Sequence, residues 1–327
     1  GRRCASAFRT SASEDELMAV STQVSTQNNR VRRRFASAGS RRLLLFVALI
    51  APVFLLRFAT AAYPILQTIR LSFTNQDLIA RTNDFIGLQN YRTMLTDSSV
   101  TGALSFTLIY VIATTILDLV VGLMIALLLN TVFFGRTFVR TINLIPWAIP
   151  TIVAGYMFRW LLDDQFGLIP YLYQLVTGDR MVVFINAWSA RTAVILVQVW
   201  KDAPFIAVVL LAGLQGVGQD LYEAARVDGA NALQRFWRIT IPLVTPLLVT
   251  MGLFRIIWTV ASFDLVYGLT FGGPGVATTV LALRIFQQGI LFFKFGYASA
   301  IAVVLLLLVG VIGVLGLWLF RRTDVAY

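Results

Sequence analysis

The sequence contains no histidine, and its only cysteine is Cys4. Without histidine there is no Ser-His-Asp or Cys-His catalytic pairing, and the commonest metal ligand is missing as well. One cysteine forms neither an internal disulfide nor a cysteine-based metal cluster. Charge is scarce, at 13% of residues where soluble domains carry about 25%. Only two lysines are present, Lys201 and Lys294, followed by Asp202 and Phe295. A phosphate-cradling loop needs Gly-x-x-x-x-Gly-Lys-[Ser/Thr], so neither lysine belongs to one.

What the chain has in abundance is hydrocarbon. Of its 327 residues 58% are hydrophobic, and the mean hydropathy is +0.78. That composition belongs to a bilayer. A spanning helix takes about 20 mostly apolar residues, and six stretches qualify: 43–66, 104–129, 138–162, 192–214, 243–267 and 296–320. The expected fold is an all-α integral membrane protein of six transmembrane helices. Residues 1–42, rich in Ser, Thr, Asn, Gln and Arg with no periodic apolar face, read as a disordered cytoplasmic tail. Residues 43–101 read as the first span with an outer loop, and 102–322 as the core. Stretch 278–293 is helical by pattern, but Arg284, Gln287 and Gln288 suit the outer interface better than a span.

The net charge of +11 does not point to nucleic acid, because the arginines sit between apolar runs instead of forming a basic face with interleaved aromatics. They do report orientation. With the N-terminus inside, cytoplasmic segments hold sixteen arginines, against five basic residues outside (Arg81, Arg92, Arg180, Arg284 and Lys294). Both termini and residues 219–238 are then cytoplasmic.

That last segment is conspicuous. "EAARVDGANALQRFWRITIP" (223–242) is polar, yet it keeps Leu221, Tyr222, Ala225, Phe236 and Trp237 on or beside it. The pattern predicts a short helix over 219–228, a break at Gly229 and a second helix leading to Pro242, which suits the start of a span. A plain connector explains the polarity but not the apolar side chains, which imply a protein partner.

The spacing Glu-Ala-Ala, three residues, Gly229, nine residues, Ile239-x-x-Pro242 resembles the signature of inner-membrane permease subunits of bacterial ABC importers. The usual Ile-x-Leu-Pro ending appears here as Ile239-Thr240-Ile241-Pro242. "FIGLQNY" (85–91), "LIPWAIPT" (144–151), "VWKDAPF" (199–205), "AGLQGVGQDLYEAARVDGA" (212–230) and "LTFGGPG" (269–275) extend the likeness over about 85–320, to the maltose-type, sugar-importing branch. The resemblance implies a type I importer transmembrane domain in the bacterial inner membrane. Its implied partners are a second permease, two copies of an ATPase subunit and an extracytoplasmic sugar-binding protein. ATP and Mg would be bound by the ATPases, and this chain would hold no cofactor. Residues Glu223, Ala224, Ala225, Arg226, Asp228 and Gly229 would form the coupling helix that docks on the ATPase.

Polar residues within spans are costly and therefore candidates for function, against the plainer role of helix–helix glue. Trp147 and Thr151 lie four residues apart around a Pro146–Pro150 break. Gln198, Lys201, Asp202 and Phe205 share one helical face at i, i+3, i+4, i+7. Thr259, Ser262 and Asp264 interrupt the fifth run beside Trp258. Aromatic faces with amide, hydroxyl and carboxylate groups are what a carbohydrate site requires. The resemblance points to the same places, and implies that Trp147, Thr151, Gln198, Asp202, Phe205, Thr259 and Ser262 line a mid-membrane sugar site. Several of these side chains differ from the maltose-type pattern, so the implied cargo is a di- or oligosaccharide of open identity, with glycerol phosphate or a polyol as the alternative. Lys201 and Asp202 have each other as one pairing option. Arg57 and Asp118, the other mid-span charges noted, are expected to neutralise one another. A membrane glycosyltransferase would need clustered carboxylates at a membrane face. Asp163 and Asp164 stand without companions to complete such a site. A secondary transporter is disfavoured by the lack of internal repeats.

Overall fold

A computed structural model describes residues 46–323, so the expected N-terminal tail lies outside the described residues. Contacts divide the chain into Gly1–Gln67 and Thr68–Tyr327. Most of the apolar helix α1 (Phe46–Leu71) belongs to the first unit. The second unit begins with a loop that carries two isolated antiparallel bridges, Thr74–Phe85 and Asp77–Thr82. Its other described residues form helices joined by turns and irregular loops.

A short helix α2 (Gln89–Thr96) leads directly into α3 (Ser98–Asn130). Asp97 separates them, and its side chain accepts the Ser99 N–H as an N-cap. The next expected span is not one helix. Helices α4 (Arg136–Asn143) and α5 (Ile145–Ala148) precede a break at Ile149–Pro150, after which α6 (Thr151–Leu161) leaves at 91°. Pro150 lacks the N–H that would continue the ladder, and both break residues are extended, with ψ of 132° and 133°. Helix α7 (Leu168–Thr177) and the long α8 (Ala187–Gln215) follow.

Helices α3 and α8 run parallel. Tyr110 meets Gln198 near one end, and Ala126 and Leu129 share a core with Leu210 and Leu214 near the other. Two parallel neighbours require the chain between them to return across the bundle, and the bent α4–α6 segment makes that return. With it, five unbroken candidate spans become six. Helices pack in lipid through close approach at small residues, and a Cβ on Gly122 of α3 would meet Ile206 Cγ2 of α8 at 2.8 Å.

Beyond α8 the chain turns through α9 (Gln219–Val227) and α10 (Ala232–Arg235), then runs through a π-helical turn (Phe236–Thr240) into α11 (Ile241–Ala261). Helix α12 (Asp264–Thr270) packs on α6, where the Leu265 carbonyl and Gly268 approach Gly155. Stretch 278–293 is half-buried, with Ile290, Leu291, Phe292 and Phe293 exposed. It forms α13 (Leu281–Phe286), with Leu281, Ala282 and Leu283 buried, and a second π-helical turn (Gln287–Leu291). The Leu281 N–H donates to Thr107 Oγ1 of α3 at 2.8 Å. The last helix, α14 (Phe295–Thr323), starts beside Asp97, to which Tyr297 donates its hydroxyl at 2.8 Å. The start of α14 and the start of α3 therefore lie at one end of the bundle, and the α9–α10 elbow at the other.

Candidate functional site

Three helices bring charge to the middle of the unit. Arg255 of α11 is 3% exposed and Asp118 of α3 is fully buried. The Arg255 guanidinium donates through Nε to Asp118 Oδ2 at 2.8 Å, and its Nη2 lies 2.8 Å from both Asp118 Oδ2 and Asp202 Oδ2 of α8. One cation is shared between two carboxylates. The chain of contacts continues through Gln198, whose amide donates to Asp202 Oδ2 and whose Oε1 accepts the Tyr110 hydroxyl at 2.6 Å. Isolated charges do not persist in this environment, and paired ones mark sites or seams. Asp118 was expected opposite Arg57, but Arg255 occupies that role. Lys201 does not pair with Asp202 either; it donates to the Trp147 carbonyl at 3.1 Å, at the end of α5 where the broken helix leaves carbonyls free. Lys201 and Arg255 balance Asp118 and Asp202, so the four charges sum to zero.

Beside this network lies a cavity of about 320 Å³, at the small end of the range of ligand sites. Trp147 and Phe205 form one wall as stacked rings 5.0 Å apart at 14°, and Phe254 with Trp258 forms another, 5.8 Å apart. Lys201, Asp202 and Arg255 supply the polar part of the lining, and Thr151 stands at the helix break. Trp147, Thr151, Asp202 and Phe205 are thus brought together as the sequence suggests. Gln198 sits behind Asp202 instead of on the surface of the cavity. Thr259, 2% exposed, and Ser262, the C-cap of α11, lie off it. The sequence reading missed Arg255 and Phe254. Its signal was there: Arg255, Trp258, Thr259 and Ser262 fall at i, i+3, i+4, i+7, and a lone mid-span guanidinium needs a carboxylate.

The polar elbow has a defined form. Asp228 caps α9, Gly229 adopts φ +77°, and the next two amides turn back: Gly229 N–H to Arg226 O at 3.1 Å and Ala230 N–H to Ala225 O at 2.9 Å. That is a Schellman ending, in which the left-handed position favours glycine. Asn231 then caps α10 in a reciprocal box with Gln234, and the Tyr222 hydroxyl bonds Thr240 Oγ1 at 3.0 Å across the elbow. Leu221, Val227, Leu233 and Trp237 remain exposed on it, as do Glu223, Ala224, Arg226 and Asp228. No group of three or more metal-ligating side chains occurs among the described residues.

A family model described as "Binding-protein-dependent transport system inner membrane component" matches residues 118–325. The sulfoquinovosyl glycerol transport system permease of Agrobacterium fabrum is 35% identical over 292 residues, covering 89% of this chain and 94% of that one. The trehalose/maltose transport system permease of Thermococcus litoralis is 34% identical over 269 residues, covering 82% and 91%. Among solved structures, a bacterial ABC transporter involved in the import of the acidic polysaccharide alginate superposes with a TM-score of 0.77 at 22% identity, covering 87% of this chain and 97% of that one. That likeness speaks for the fold. With the family match spanning more than half its length, the chain belongs to the inner-membrane components of binding-protein-dependent transport systems, the permease subunits of ABC importers.

Proposed function

We propose that this permease passes a sugar, a di- or oligosaccharide, from an external binding protein into the cytoplasm, as one half of a two-permease channel driven by two ATPase subunits. The observation that carries the reading is the cavity: a stacked Trp147–Phe205 wall faces fixed polar groups at mid-bundle. Sugar C–H faces pack on such rings while hydroxyls take the polar positions. The relatives named for sugar glycosides and disaccharides support the same class of cargo. Lys201 and Arg255 would favour an anionic cargo such as glycerol phosphate if they stood alone, but Asp118 and Asp202 offset them, which favours a neutral one.

The arginine asymmetry favours both termini and the elbow on the inside. ATP and Mg then bind on the partner subunits, whose closure reaches the membrane through Glu223, Ala224, Ala225, Arg226, Asp228 and Gly229. The test is uptake by the reconstituted transporter with its solute-binding protein. Trp147→Ala removes one face of the stack, and a loss of about 1–3 kcal/mol in substrate contact raises KM for uptake by about 5- to 150-fold. Unaltered KM in that variant would remove the cavity from the substrate path.

A further inference from the structure

At the end of the bundle opposite the elbow, an open cavity of about 480 Å³ gathers Asn90, Asp97, Arg284, Gln288, Lys294 and Tyr297. Its polar groups are not all satisfied. Gln288 is 7% exposed and sits in the π-helical turn, a geometry that is rare and often found at functional sites. No hydrogen bond of its side-chain amide occurs among the described residues, although its backbone carbonyl accepts the Lys294 N–H at 2.8 Å. The Arg284 guanidinium reaches Asp97 Oδ2 only at 3.7 Å and Gln287 Oε1 only at 3.5 Å, and its buried Nε has no partner. The Lys294 ammonium is exposed and makes no ion pair among the described residues. Asn90 spends both amide hydrogens on the Ser72 and Thr74 carbonyls, which orders this wall.

The one carboxylate here is already occupied. Asp97 takes the Ser99 amide at 2.8 Å and the Tyr297 hydroxyl at 2.8 Å. Burial pushes its carboxyl upward, but the Tyr297 and Ser99 hydrogen bonds and the Arg284 charge outweigh that and hold it below the usual range. It therefore stays charged and cancels one of the two cations. What is left is one surplus positive charge, an Arg284 Nε without a partner and the Gln288 amide on the cavity wall with no hydrogen bond among the described residues. A single carboxylate entering the cavity would complete that set, since guanidinium and carboxylate pair in a fork with strong charge-assisted bonds.

We propose that this cavity is the socket for an acidic side chain of the external solute-binding protein, clamped by Arg284, Gln288 and Lys294 when that protein delivers its cargo. The inference rests on the importer reading and adds to it which surface and which chemistry receive the binding protein. Its position at the end remote from the elbow puts it on the side from which cargo arrives, and a rim cation such as Lys294 steers an acidic partner at low salt.

The experiment uses the assembled transporter in nanodiscs with the solute-binding protein encoded alongside it, and exploits the scarcity of lysine. A carbodiimide joins an amine to an adjacent carboxylate as an amide. Lys294 and the buried Lys201 are the two lysines of this sequence. The expected product is an isopeptide between Lys294 and an Asp or Glu of the binding protein, identified by mass spectrometry and absent in Lys294→Arg, which keeps the charge but not the reactive amine. In parallel, Arg284→Gln and Lys294→Gln raise the binding-protein concentration for half-maximal ATPase stimulation about tenfold at low salt, and the difference shrinks as salt screens it. Stimulation with no Lys294 cross-link and no shift in either variant overturns the socket while leaving the importer reading intact. A shift seen only in nanodiscs that contain phosphatidylglycerol, with no Lys294 cross-link, overturns it in favour of a lipid headgroup. Failure of the unaltered transporter to respond to any binding protein defeats the importer reading itself.

Discussion

Replacing Arg255 with glutamine tests the buried network most directly. The substitution keeps a polar but shorter side chain and removes the one positive charge that Asp118 and Asp202 share through Nη2 at 2.8 Å. With Lys201 included, the four-group sum passes from zero to −1. Asp202 retains the Gln198 amide, whereas Asp118, fully buried, loses the only ionic partner it has among the described residues. Breaking a buried pair by removing one member costs about 3–5 kcal/mol, because the survivor is left charged and unpaired. The variant complex should therefore lose assembly on heating at a markedly lower midpoint, followed as permease remaining in the intact complex by size-exclusion chromatography. The decisive control is Arg255→Gln with Asp118→Asn. That double variant returns the sum to zero and should recover a large part of the loss, while Asp118→Asn alone, which leaves Arg255 on Asp202, should cost less than Arg255→Gln. A midpoint for Arg255→Gln equal to that of the unaltered chain, or no recovery in the double variant, would show that the three helices are not tied through this charge.

Two other perturbations probe the ends of the bundle. Because the folded Asp97 carboxyl lies below its ordinary value of about 3.9, it contributes stability that is complete above that value and is lost as pH falls through the lowered one. Asp97→Asn should thus lower stability at neutral pH and flatten the acid limb of a stability–pH curve, and an acid limb identical to that of the unaltered chain would count against the assignment. At the elbow, Gly229→Val meets no neighbouring atom within 4 Å, so its cost of about 1–2 kcal/mol comes from forcing a branched side chain to φ +77°. ATPase subunits should then be lost during purification and cargo-stimulated hydrolysis should fall together with uptake, whereas full retention with normal stimulation would reduce the elbow to a connector.

The spans were legible because hydrocarbon runs of about 20 residues have few other uses, and the ends found for α3, α8 and α14 enclose those expected. The break in the third stretch was visible as Pro146 and Pro150, but its 91° angle was not. Two prolines license a bend, whereas its direction is set by where α6 finds packing, against α12 at Gly155 and Gly268. At the elbow the first helix and the break at Gly229 were legible, because a glycine ending acts on its own backbone within a few positions, whereas the Asn231–Gln234 box and the π-helical turn that follow were not expected.

The charged centre shows the opposite case. Helical spacing placed Gln198, Lys201, Asp202 and Phe205 on one face, but a face of about 100° spans both a cavity wall and the layer behind it, and spacing does not separate the two. Phe205 reaches the cavity while Gln198 is drawn back by Tyr110, a partner 88 positions away. Of the mid-span cations Arg57 lay nearer to Asp118 in sequence than Arg255 did, and the nearer helix was the wrong guide. Parallel packing of α3 and α8 at Gly122 brings Asp118 and Asp202 together, and α11, which enters from the elbow end, lays the Arg255 guanidinium between them. The pairing is thus a consequence of topology, which the bent α4–α6 return creates, and a sequence can announce that a charge needs a partner without saying which helix will bring it.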